Sequence, residues 1–99
     1  MAVQDFDAGA QIVSSKQKHT YCINKFIALA NELKAENIDP NMVSGALMTA
    51  SGIYATYVAA GNNGALNQSG VDKVVDLYRR TLEYHQKIKR RELNEEGDA

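Results

Sequence analysis

Ninety-nine residues with 44% hydrophobic and 23% charged side chains, one Pro and seven Gly fit one globular domain, and exclude a disordered, fibrous or two-domain chain. The single Cys excludes an intrachain disulfide framework, and a formal net charge of −1 gives no overall attraction to nucleic acid or anionic lipid, so such binding would need a local patch. The first twenty residues carry Asp5 and Asp7 and no apolar core, unlike a signal peptide, which makes a cytoplasmic location the expectation.

In chain order, the first element is a helix over about 11–36. Ile12, Cys22, Ile23, Phe26, Ile27, Leu29, Ala30 and Leu33 form its apolar band, and Lys16, Lys18, Lys25, Glu32, Lys34 and Glu36 mark its wet side. The second helix has the best-marked start. In Ile38-Asp39-Pro40-Asn41-Met42-Val43, Asp39 can accept from an orphaned backbone N–H and Pro40 sits in the first turn at no cost in hydrogen bonds. Ile38 and Val43 occupy the two positions of a hydrophobic staple.

From there Val43, Ala46, Leu47, Ala50, Ile53, Tyr54, Tyr57 and Val58 step by three and four, which predicts a helix over 40–60 with Gly61 as its left-handed cap. Its other faces carry small uncharged residues, so no side of it is charged. That pattern predicts a helix covered on most sides, at the centre of the fold. It lies in an uncharged run from Asn41 to Val71, which invites a test as a membrane span. Only Val43, Leu47, Ile53 and Val58 insert strongly, however, and Ser, Thr, Gly and Tyr oppose them. No membrane span is expected.

The stretch GNNGALNQSG is turn chemistry, with Ser69 and Asp72 as a capping pair for a third helix over about 70–93. Val71, Val74, Val75, Tyr78, Leu82, His85 and Ile88 line its apolar side, and residues 94–99 follow as an acidic tail. The short link over 37–39 favours an antiparallel hairpin of the first two helices. The expected fold is therefore all-α, a three-helix bundle in one domain, with an uncharged central helix open to dimerisation.

Chemistry is sparse in this pattern. His19 and Cys22 stand one turn apart, but a closed zinc site needs four ligands and only His85 could add another soft donor. No nucleophile elbow, phosphate-binding glycine loop or Glu-x-x-His motif accompanies them. No catalytic residue, metal or cofactor is expected.

Two surfaces stand out instead. Gly45, Thr49, Gly52, Thr56 and Ala59 step 4, 3, 4, 3 along the second helix, and small residues on such a line let another helix approach closely. They are the first candidate interaction residues, for a second copy or another protein. The other candidate is the basic stretch of the third helix, Arg79, Arg80, Lys87, Lys89, Arg90 and Arg91 against Glu83 alone, which could grip phosphates. Cations also suit the last turns of a helix, and Glu92, Glu95, Glu96 and Asp98 follow to neutralise them.

The segments Phe26-Ile27-Ala28-Leu29-Ala30-Asn31, Val43-Ser44-Gly45-Ala46-Leu47-Met48-Thr49-Ala50, 54–60 and Val71-Asp72-Lys73-Val74-Val75-Asp76-Leu77-Tyr78 resemble a small bacterial family of short helical proteins classed as a domain of unknown function. The resemblance runs from about Phe26 to Tyr84. It implies a helical cytoplasmic protein and transfers no catalytic residue. Ile53 departs from it, standing where that family tends to have an Arg. The leading expectation is a non-enzymatic helical interaction module that self-associates or binds a protein. The alternative is a nucleic-acid-binding or regulatory factor using the basic helix.

Overall fold

The computed structural model describes residues 14–98 and, within them, the side chains of 14–95. It is all-α: helix α1 spans Ser15–Ala35, α2 Pro40–Ala60 and α3 Gln68–Asp98, with no strand among the described residues. The chain divides into two compact units, residues 1–50 and 51–99, and the division falls inside α2.

The first unit holds α1 and the opening turns of α2. Ser14 is extended at φ −71°, ψ 165°, and its hydroxyl accepts from the Gln17 backbone N–H while the Gln17 side chain accepts from the Ser14 N–H. This reciprocal capping box starts the helix at Ser15, a turn later than the periodicity suggests, because the cap is a stronger local signal than a distant Ile12. Residues 11–13 of the expected helix lie outside the described residues. At the other end Asn37 adopts φ 66°, a left-handed conformation that Asn tolerates, and its N–H bonds back to the Lys34 carbonyl.

Asp39 caps α2 as its sequence implies: its carboxylate accepts from the Asn41 N–H at 2.8 Å and its carbonyl from Met42 and Val43. Ile38 is half-buried and Val43 is buried, the two staple positions. Along α1, Ala30 and Leu33 are half-buried, while Ile23, Phe26, Ile27 and Leu29 stay exposed.

The second unit holds the closing turns of α2, the 61–67 connection and α3. Gly61, at φ 78°, closes α2 by donating to the Tyr57 carbonyl at 2.8 Å, the single-bond left-handed cap that only glycine adopts without strain. The start of α3 departs from expectation. Asn67, not Ser69, is the cap: its side-chain oxygen accepts from the Gly70 N–H at 2.7 Å, and Asp72 instead bonds the Gln68 side chain. Asn caps as well as Ser, so the earlier of the two available caps sets the start.

Helix α3 also runs through the acidic segment to Asp98 rather than stopping near Leu93. Good helix formers and an i, i+3 pair between Lys89 and Glu92 carry it on.

The main departure from the sequence reading concerns burial. Val43, at 9% exposure, is the single buried residue among those described. Tyr54, Tyr57 and Tyr78, on the apolar faces of the second and third helices, are exposed, and α2, expected to be covered on most sides, is uncovered on most of its circumference.

Candidate functional site

At ~100° per residue, Gly45, Thr49, Gly52, Thr56 and Ala59 centre about 160° round α2 from Val43, on the side turned away from its buried residue. Gly45, Thr49, Gly52 and Ala59 are exposed and Thr56 is half-buried. A methyl group built on Gly45 or Gly52 would meet nothing within 4 Å, so the backbone there lies open.

The two threonines turn their hydroxyls inward. Thr49 donates to the Gly45 carbonyl at 3.1 Å and Thr56 to the Gly52 carbonyl at 2.8 Å, each one turn back along the helix. Each hydroxyl donor is therefore satisfied within α2, and a neighbour can dehydrate this side without stranding a donor.

Ridges flank the small residues. Met48, 57% exposed, stands on one edge, and Met42 and Ile53, both 66% exposed, stand on the other. The sequence pattern places Ile53 on the apolar face of the second helix and gives the methionines no role. Their angular positions beside the small line were the available signal. Unbranched Met side chains adapt to an incoming surface.

The basic residues are distributed differently. Arg80 is tied to Asp76 at 2.9 Å and Lys89 to Glu92 at 3.4 Å, all four side chains well exposed. Arg79, Lys87, Arg90 and Arg91 form no such pair among the described residues. A shallow groove of about 610 Å³ along one side of α3 is lined by Arg80, Glu83, Tyr84, Gln86, Lys87 and Arg90. Over its whole length, residues 68–98, α3 carries seven cations (Lys73, Arg79, Arg80, Lys87, Lys89, Arg90, Arg91) and seven acids (Asp72, Asp76, Glu83, Glu92, Glu95, Glu96, Asp98), so its charges cancel.

His19 and Cys22 both lie exposed on α1. His85 is exposed on α3. Among the described residues no group of three or more His, Cys, Asp or Glu side chains could hold a metal ion. No described helix is long and apolar enough to cross a membrane.

What these features define is an all-α protein whose middle helix is free of charge and largely uncovered. Residues 20–93 match the model of the family described as "Protein of unknown function (DUF3144)", so the chain belongs to that family. The match includes all of α2 and most of α1 and α3. No curated protein and no solved structure matches the chain.

Proposed function

We propose that this protein is a non-enzymatic helical interaction module of the cytoplasm, and that α2 is its docking element. One observation carries the reading: a 21-residue helix with no charged side chain leaves Met42, Leu47, Met48, Ile53, Tyr54, Tyr57 and Val58 exposed. Apolar surface of that extent marks an interaction site on a soluble chain.

The test is photo-crosslinking in cells from a benzophenone amino acid placed at Met48, with Gln86 on α3 as the reference position. The reading expects Met48 to capture a polypeptide, its own or another. It is overturned if Met48 captures none.

The basic stretch of α3 supports a second reading, a nucleic-acid-binding or regulatory factor, through Arg79, Lys87, Arg90 and Arg91, which form no ion pair among the described residues. Its support is weaker, since equal numbers of acids and cations share the helix. Four phosphate contacts would make binding fall with salt at a log–log slope of about −3 to −4. Binding indifferent to salt, or to neutralising Arg90 and Arg91, would remove this reading.

A further inference from the structure

We infer that Asn63 is a site of self-catalysed covalent modification: its side-chain amide closes onto the Gly64 backbone, loses ammonia, and leaves aspartate or isoaspartate just beyond the end of α2.

Asn63-Gly64 is the one Asn-Gly pair in the chain. The reaction needs the backbone nitrogen of the following residue to reach Asn63 Cγ, and any following residue other than glycine crowds that approach with its Cβ. The turn itself demands the glycine. A Cβ built on Gly64 would run into the Ala60 carbonyl oxygen and lie 2.9 Å from the Ala60 Cβ.

Both reacting groups are lightly restrained. Asn63 is exposed in the turn after Gly61. Its side-chain amide takes no hydrogen bond among the described residues, whereas that of Asn67 is held by the Gly70 N–H at 2.7 Å. The Gly64 N–H reaches the Gly61 carbonyl at 3.4 Å, beyond the roughly 2.7–3.2 Å of an ordinary N–H···O bond.

Other asparagines lack this combination. Asn24, Asn31 and Asn94 lie inside helices, where the following N–H is tied to a carbonyl one turn back. The N–H that follows Asn41 bonds the Asp39 carbonyl at 2.9 Å. Asn37 precedes the β-branched Ile38, and Asn62 precedes Asn63, so both meet a Cβ.

The step balances with water alone. The Gly64 amide gives its proton to solvent base and its nitrogen attacks Asn63 Cγ. The N–Cγ bond forms, the Cγ–Nδ2 bond breaks, and Nδ2 takes a solvent proton and leaves as ammonia. Water then opens the succinimide ring. Attack at Cγ gives aspartate, and attack at the Asn63 main-chain carbonyl carbon gives isoaspartate. One water is consumed, one ammonia is released, and nothing is oxidised.

The product brings a charge that this part of the chain lacks. Residues 41–71 hold no Asp, Glu, Lys or Arg. The new carboxylate stands beyond the C-terminal end of α2, where the helix dipole is negative and opposes it. The isoaspartate form also adds a carbon to the backbone of the turn.

The experiment is incubation of the purified full chain in mildly alkaline buffer, followed by isoelectric focusing, peptide mapping and methyl transfer from S-adenosylmethionine by an isoaspartate methyltransferase. A more acidic form is expected, with both aspartate and isoaspartate at position 63. It should appear at least about tenfold faster than conversion at any other asparagine, the ratio that about 1.4 kcal/mol of activation free energy gives. The rate should rise with pH, because attack needs the deprotonated nitrogen. Asn63→Gln, whose longer side chain must close a larger ring, is expected to stop the change, and Asn62→Gln to leave it at the wild-type rate. The inference is overturned if residue 63 stays asparagine, if Asn63→Gln acidifies as fast as the wild type, or if aspartate forms there with no isoaspartate, the mark of direct hydrolysis.

Discussion

Helices α2 and α3 solve opposite problems with the same backbone. In α2 every side chain is uncharged and the polar hydroxyls of Thr49 and Thr56 are folded back onto Gly45 and Gly52. In α3 fourteen charges alternate around an apolar stripe and partly neutralise one another, as in Asp76–Arg80. Solvent satisfies α3 on its charged side, whereas water around α2 gains almost nothing from its contacts. The difference teaches that an interaction surface can be marked by what a helix lacks. A charge-poor helix left in water is poorly matched to it, and a charge-rich one is not.

That contrast can be broken by moving charge from one helix to the other. Ile53→Glu on α2 should lower the crosslinking yield from Met48 by roughly tenfold or more, and Gln86→Glu on α3 should change it by less than about threefold, both read by the same photo-crosslinking in cells. Equal effects would erase the distinction.

The buried residue comes next. Val43→Ala should lower stability by about 2 kcal/mol in a thermal melt followed by circular dichroism, from lost burial and the gap it leaves. Caps are smaller: Asp39→Ala and Asn67→Ala should each cost about 1 kcal/mol, and Ser69→Ala much less, since Asn67 holds the capping bond. The smallest effect belongs to α3. Removing its exposed Asp76–Arg80 pair through Asp76→Asn should shift stability by no more than about 0.5 kcal/mol, and less in high salt.

Much of the fold was legible from local chemistry. The Asp39-Pro40 start and the Gly61 stop of α2 were written in residues that act within one turn, and the structure places both ends there. The first and third helices shifted by a few residues for the same local reason: Ser14 with Gln17, and Asn67 with Gly70, offered caps that competed with apolar periodicity and won. The small line on α2 was legible too, as spacing. Its flanking ridge of Met42, Met48 and Ile53 was not, because periodicity alone assigns apolar residues to a core whether or not anything covers them.

The sequence by itself therefore determined the number of helices among the described residues, their type, the ends of α2 and the absence of charge along it, since capping, propensity and side-chain period are properties of short segments. Only the tertiary structure decided that Val43 alone is buried among the described residues, that Tyr54, Tyr57 and Tyr78 on the apolar faces stand exposed, and that the glycines of α2 face open space. Burial depends on which surfaces meet, and an apolar stripe reads the same in a sequence whether its own chain or another copy covers it.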